Sequence, residues 1–409
     1  GNGNTAVYVN DKDNINPKAF GVIYDADYRN PTDGKYYSDV GLSILATDNQ
    51  LPMQAAWDYA YFNNGNIRDG FGTAKVQTIV TPPTGVTEPR GDAFTASGAG
   101  GGNAFVQISP LPLCTRYVNE RGIAAPVIHL QDRKSITGVH DGASNSAILI
   151  DTTAPFVPSS LSPLTLRNTT DASQGTITAN TATTVTATLT GGTDNDWDSG
   201  DGYVGDVVNT GGQVIIKNYR LESDSQSSSV MQCDQLGEFS KLEGLEMIQF
   251  GEGDGIVLDY FMKANIERCN ILNKDFVSTN VPRFGAGIRI KAGDGGGLPS
   301  IKKVVCRGFD TGYILGEGAT SQDNMSGLKV EQCECSVVNI GIDIRQYTLS
   351  ATLDTCYFEG IEAKHIIDHG TATDVHSGIH FVNAIAANPV VYIDSSFVTK
   401  GNSYHNNYI

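Results

Sequence analysis

The chain has 409 residues, 46 of them glycine and 15 proline, with a formal net charge of −17 and an isoelectric point near 4.7. So acidic a balance argues against nucleic acid as a partner, since that binding is driven by cations that release counterions from phosphates. No run of 18 apolar residues exists, so no segment is long and apolar enough to cross a membrane as a helix.

Residues 1–63 read as an N-terminal segment and a capping helix. Gly1-Asn2-Gly3-Asn4 has neither the charged nor the apolar region of a secretory signal. A signal already removed, or a chain that is an excerpt, both fit this start. Over residues 50–62, Leu51, Met53, Ala55, Ala56, Trp57, Tyr59 and Ala60 stand at helical spacing. Asp48 or Asn49 can cap that helix, and Pro52 suits its first turn. Such a helix would close the open end of a solenoid, whose first coil otherwise exposes core and unpaired backbone.

Residues 64–151 read as the first coils. Ala74 to Val80 is a strand candidate, followed by Pro82-Pro83 and a glycine-rich run at Gly98–Gly102 that lacks the Gly-Lys-Ser/Thr of a phosphate loop. Residues 125–151 read as one more coil, with strands at Val127–Leu130, Ile136–Val139 and Ala147–Ile150.

Residues 152–212 change character and predict a threonine- and serine-rich β excursion, its strands alternating at Thr176–Thr178, Thr184–Thr186 and Thr188–Thr190. Within it, Asp194, Asp196, Asp198 and Asp201 resemble a calcium loop. Ser199 stands where such a loop wants glycine, and Gly205 where it wants glutamate. The stretch is read as a solvated acidic turn, and no metal or cofactor is expected.

Residues 213–409 predict the main coils. The solenoid resumes at Val214-Ile215-Ile216, and from residue 242 a rule recurs: apolar, any, apolar, then three positions on a small or sulfur-bearing residue. Leu245-Met247-Phe250, Ala264-Ile266-Cys269, Leu328-Val330-Cys333, Ala351-Leu353-Cys356 and Ile379-Phe381-Ala384 follow it; Ile301 and Cys306 fit, with Lys303 breaking the middle position. A second strand follows each, at Gly255–Leu258, Gly287–Ile290, Gly312–Leu315, Gly341–Ile344, His365–Ile367 and Val391–Ile393. Period-two alternation means strands. Third anchors 19 to 37 residues apart mean a repeat that tolerates insertions, which a right-handed single-stranded parallel β-helix does. Four of the seven cysteines, Cys269, Cys306, Cys333 and Cys356, are expected in one buried column as reduced thiols, which suits assembly in a cytoplasm.

Phe20-Gly21, the aspartate-bearing loop after it and the helix with Gln54-Ala55-Ala56 resemble the opening of the pectate-lyase-like β-helix domain. The loop is stretched here to Asp25–Asp48. Thr190-Gly191-Gly192-Thr193-Asp194-Asn195-Asp196-Trp197-Asp198 is similar to a stretch that recurs in bacteriophage tailspikes. The resemblance implies a homotrimeric β-helix on a phage tail, assembled in the host cytoplasm beside other virion tail proteins. It would bind, and usually cut, bacterial surface polysaccharide: capsule, exopolysaccharide or O-antigen. It also implies that virion-attachment and trimerising regions lie outside this sequence. Val257, Ile314, Ile366 and Tyr392, read as outward apolar residues, point to a trimer as well.

Glycosidic hydrolysis needs two carboxylates at a set separation. Glu331 and Asp354 share one offset on consecutive coils and are the first candidates, expected roughly 5 Å apart with one pKa raised by the other's charge. Glu267 shares the offset, with Val304 read as interrupting the column. Asp343 and Asp259, outward on the second strand, are held in reserve for a groove on another face. Arg283 and Phe284, on the longest insertion (Asn273 to Ala286, with Phe276), and the outward Arg289 and Lys291 are candidates for binding substrate. A lyase acting by β-elimination on a uronate, with Arg289, Lys291 and Arg345 as cations, is the alternative chemistry. A non-catalytic glycan-binding adhesin and a purely structural spike are the alternatives to an enzyme.

Overall fold

The computed structural model describes residues 15–62, 67, 72–81, 105–108, 115–130, 135–153, 156, 161, 165–206, 214–234, 236, 240–259, 263–274, 282–291, 299–318, 325–345, 348–349, 351–369, 380–382, 385–386, 393–394 and 403–405. They form two compact units: residues 1–79, 104–130 and 213–409, and residues 80–103 with 131–212.

The first unit is a right-handed single-stranded parallel β-helix. Each coil lays one strand on each of three faces. The first face runs through Val214–Lys217, Lys241–Glu243, Asn265–Glu267, Ser300–Lys302, Lys329–Glu331, Thr352–Asp354 and His380–Val382, each in parallel register with the next. The second carries Thr115–Val118, Arg220–Ser223, Glu246–Gln249, Asn270–Asn273 and Val305–Arg307. The third carries Ile128–Leu130, Met231–Cys233, Ile256–Leu258, Ala286–Lys291 and Thr311–Glu317. Glu334–Ile344 and Tyr357–Asp368 are long strands that serve the second and third faces in turn.

The corner between the first and second faces explains the repeat. One residue per coil bends there with positive φ: Asn218, Gly244, Arg268, Lys303, Gln332 and Thr355, between 53° and 65°. The third anchor follows directly, in the column Tyr219, Leu245, Cys269, Val304, Cys333 and Cys356, all buried. These anchors stand 23 to 35 residues apart, a tighter spread than the sequence reading allowed. That reading slipped twice. Phe250 is no anchor; it lies beyond its strand, with the Arg29 guanidinium 3.7 Å from its ring centroid. Lys303 takes the bend, so Val304 is the anchor of its coil. Cys306 belongs to the next column, in register with Ile271 and Cys335. Three of the four cysteines therefore share the expected column, and all six described cysteines are free and buried.

The second-strand series is observed as expected, with Ile256, Ile288, Tyr313, Ile342 and Ile366 stacked inward. Ile366 is thus a core residue and not an outward one. Val257 and Ile314 do stand in the outward column with Arg289 and Asp343, but each is only 6% exposed, covered by the chain's own neighbouring side chains. Tyr392 lies outside the described residues, as do Phe276, Ile379 and Ala384. Apolar exposure on this face therefore gives no motive for a trimer.

The helix Gln50–Phe62 occupies the expected residues. Asp48 caps it, its Oδ1 accepting the Gln50 N–H at 2.9 Å; the Asn49 side chain instead bonds the backbone of Ile23. Met53, Ala56, Trp57 and Ala60 are buried, and Trp57 meets Tyr117 edge-on. The segment before the helix lies on the second face. Tyr36 Oη donates to Glu222 at 3.0 Å, Arg29 bonds Asp224 at 2.8 Å, and Arg116 and Arg220 bond Glu222 at 2.6 and 2.7 Å.

The second unit is a six-stranded antiparallel sheet in the order Ser135–Val139, Gly202–Asp206, Thr165–Asn168, Gln174–Asn180, Thr184–Ala187, Ile148–Ile150. Leu149, Leu166, Ile177, Val185, Trp197 and Tyr203 form its core. Residues 135–150 therefore belong to this sheet, and the coil read at 125–151 extends only through Leu130. Period two marks a strand but not the direction of its partner, so these strands were indistinguishable from solenoid strands in the sequence.

Candidate functional site

Glu331 and Asp354 are Cα partners on neighbouring rungs of the first face, as their shared offset requires. The residue that interrupts this column is Lys302, paired with Glu331 and with Glu267; Val304 lies at the corner. Lysines decide the electrostatics. Glu331 accepts from Lys329, and Lys302 stands 3.5 Å away. The Lys329 hydrogen bond is the main cause that holds the Glu331 pKa below the usual value, against its partial burial and with help from Lys302. The expected rise is therefore absent at Glu331, whose ionised form the lysines favour. The same face continues as an ion-pair ladder, with Lys217–Glu243 at 2.9 Å and Lys241–Glu243 and Lys241–Glu267 at 3.0 Å each. Such a ladder is what a solvated sheet face builds.

The third face differs. Its strands place one outward residue per rung just past the last inward one: Asp234, Asp259, Lys291, Glu317, Arg345 and His369. Beside them, in the outward column within the strands, stand His129, Gln232, Arg289 and Asp343. From His129 to His369 the strip crosses six rung spacings, roughly 29 Å.

At one end, Asp234 is held by His129 Nε2 at 2.5 Å and Gln232 Nε2 at 2.5 Å. Burial opposes its ionisation, but these two bonds and the Lys291 charge outweigh it, so its pKa lies below the ordinary carboxylate value. Asp259 is on the next rung, one strand spacing or roughly 4.8 Å along the helix, and Lys291 Nζ lies 3.3 Å from its Oδ2. In the middle, Arg289 is ion-paired on two sides, with Nε 2.7 Å from Asp254 and Nη1 2.6 Å from Glu317. At the far end, Asp343 is 4% exposed, with Arg345 Nη2 2.8 Å from Oδ2 and His369 Nε2 2.9 Å from Oδ1.

The structure thus brings Asp259, Lys291, Arg289 and Asp343 onto one face, away from Glu331 and Asp354. Arg283 is separate: its side chain is 1% exposed at the corner before the third face, 2.5 Å from Glu362 and 3.1 Å from Asn339 Oδ1. That arginine ties successive corners together. Phe284 is half-buried beside it, its carbonyl accepting from the Asp310 N–H at 3.2 Å. His129, Asp234, Glu317 and His369 were missed. His369 was legible, standing one past the inward Asp368 as Arg345 stands past Ile344. Asp234 was hidden because Met231-Gln232-Cys233 lacks the Gly-Ile-x-Ile signature of the later coils.

In the second unit, Asp194, Asp196 and Asp198 each place a carboxylate oxygen within 4.8 Å of the others, the one such group among the described residues. Burial, then the charges of Asp194, Asp198, Asp171 and Asp201, raises the Asp196 pKa.

No family model matches the sequence, and no curated protein matches it. Among solved structures, it is similar to the tailspike protein gp49 from Pseudomonas phage LKA1, at 10% identity over 91% of this chain and 64% of that one, with a TM-score of 0.43. It is similar to tailspike protein 2 from Escherichia coli O157:H7 bacteriophage CAB120, at 9% identity over 91% of this chain and 37% of that one, with a TM-score of 0.40. The A-module of the Azotobacter vinelandii mannuronan C-5 epimerase AlgE4 is similar at 10% identity over 96% of this chain and 100% of that one, with a TM-score of 0.21. This chain spans less than two thirds of the length of either tailspike.

Proposed function

We infer that this chain is a tailspike-like depolymerase that binds bacterial surface polysaccharide along the third face of its β-helix and cuts it by glycosidic hydrolysis. The observation that carries this reading is the outward strip on that face, with one titratable side chain per rung. A glycan lying along the helix axis would meet Asp234, Asp259 and Lys291 in turn. Asp234 and Asp259, one rung apart, fit the roughly 5–5.5 Å carboxyl separation of a retaining pair. Asp234, pinned as an anion by His129 and Gln232, suits the nucleophile; the proton donor falls by position to Asp259, the neighbouring carboxyl on the next rung, which Lys291 also contacts. Asp259 and Asp343 do not pair, since three rungs place them roughly 14 Å apart. A trimer on a phage tail, assembled in the host cytoplasm with other tail proteins, is part of this proposal and rests on the motif resemblance alone.

The test incubates the intact chain with capsule, exopolysaccharide or O-antigen of its host and follows reducing ends. Asp234→Asn and Asp259→Asn should each lower cleavage by about 10²-fold or more, while Glu331→Gln and Asp354→Asn cut normally. Wild-type rates in both third-face variants would sink the assignment. β-Elimination is the second reading, favoured by Lys291, Arg345 and His369 sharing one column. It predicts ultraviolet absorbance rising with every cut, which hydrolysis does not. Binding without new ends would make the chain an adhesin.

A further inference from the structure

We propose that Arg345 and His369, held by Asp343, form a subsite for the carboxylate of an acidic sugar. The proposal deepens the third-face reading by naming a substrate class, and it reassigns Asp343 from reagent to anchor.

Both Asp343 oxygens are occupied, Oδ2 by Arg345 Nη2 at 2.8 Å and Oδ1 by His369 Nε2 at 2.9 Å. Its side chain is 6% exposed. So little of it is exposed that it is a poor contact for a substrate. A carboxylate only accepts, so His369 Nε2 carries hydrogen and Nδ1 is the nitrogen left open. The outward chemistry is therefore two nitrogen groups, an arginine 39% exposed and an imidazole 34% exposed, drawn from successive rungs and fixed by one buried anion. Exposed arginine and histidine side chains normally lose rotamer freedom when a ligand binds; here Asp343 has already ordered them. A guanidinium with donors to spare, and one rung away an imidazole that in its doubly protonated form donates Nε2–H to Asp343 and Nδ1–H outward, match the two oxygens of a planar carboxylate.

One further observation favours an acidic sugar over a neutral one. The column also carries a second cation, Lys291, two rungs or roughly 10 Å from Arg345. Arg289, on the same strand as Lys291, is already ion-paired with Asp254 and Glu317.

The test uses the intact chain with ring-labelled histidine and glucuronate as the probe, against glucose as the uncharged control. Glucuronate should shift the His369 ring resonances, identified by their loss in His369→Gln, while glucose leaves them in place. Arg345→Gln should weaken glucuronate binding about tenfold, the loss of one charge-assisted hydrogen bond. Equal responses to the two sugars, or none, would overturn the subsite, as would undiminished binding in Arg345→Gln. The two readings fail separately. A chain that cuts polysaccharide while His369 ignores glucuronate keeps the groove and loses the subsite; one that binds glucuronate and cuts nothing keeps the subsite and loses the enzyme.

Discussion

At the scale of single residues, the corner bend sets a cost that side-chain choice can relieve. Gln332 holds φ 53° with a Cβ, a conformation disfavoured by roughly 1–2 kcal/mol for most residues and least for asparagine and glycine. Asn218 and Gly244 already fill the equivalent bends of earlier coils. Gln332→Asn should therefore raise stability by several tenths to about 1 kcal/mol, and Gln332→Val should lower it, by the extra strain a β-branched side chain adds to the bend Gln332 already bears. Denaturant midpoints would check both, and equal midpoints would mean the bend is unstrained. Glu222 makes the pH prediction. Burial opposes its ionisation, and Arg116 and Arg220 more than reverse that, so its folded pKa lies below its unfolded one. Its contribution is present above the unfolded value, near 4.3, and is lost as pH falls through the folded value. Wild-type stability should drop below about pH 4.3, and Glu222→Gln, less stable at neutral pH, should show a shallower acid limb. Parallel limbs would refute this.

Between elements, what was legible in the sequence was what packing repeats. The first-face anchors and the Gly-Ile-x-Ile strands were readable because each coil fills one slice of the same core. The glycines opening those strands have a steric cause: a Cβ on Gly287 would sit 2.5 Å from Cys306 Sγ, and one on Gly312 would sit 2.6 Å from Cys335 Sγ. Gly312→Ala should cost about 1–3 kcal/mol by overpacking, measurable as a lower unfolding midpoint, and Cys335→Ala beside it should restore part of the loss. Failure of that rescue would place the clash on the Gly341 carbonyl, which lies equally close. Register within a coil was less legible. Lys303 looked like a broken anchor because an αL bend accepts lysine, and nothing in composition separates a bend residue from an error in a pattern. The partners of Ile136–Val139 and Ile148–Ile150 were not legible at all, since alternation carries no strand direction. The face we propose for the groove was equally hidden: outward acids occur on the first and third faces alike, and the histidine at Asp234, set against the lysines at Glu331, is not legible from either stretch alone.

For the whole molecule, net charge and local charge pull in opposite directions, and ionic strength separates them. The chain carries a formal charge of −17, so an acidic glycan approaches against a repulsive field. At the proposed subsite, Lys291 and Arg345 would attract it only at contact range. Added salt screens the distant repulsion first, since the Debye length falls to about 10 Å at 0.1 M and to about 3 Å at 1 M. With a host polysaccharide that carries carboxylates, kcat/KM should therefore rise from about 10 mM toward about 100 mM salt, as the screening length shrinks to subsite dimensions. It should fall toward 1 M, where the subsite contacts are themselves screened. The carboxyl-reduced form of the same polysaccharide should show neither limb, and Arg345→Gln should keep the rise while flattening the fall. A monotonic fall from the lowest salt would mean that the groove's own cations dominate the encounter and that the acidic surface elsewhere is too distant to matter.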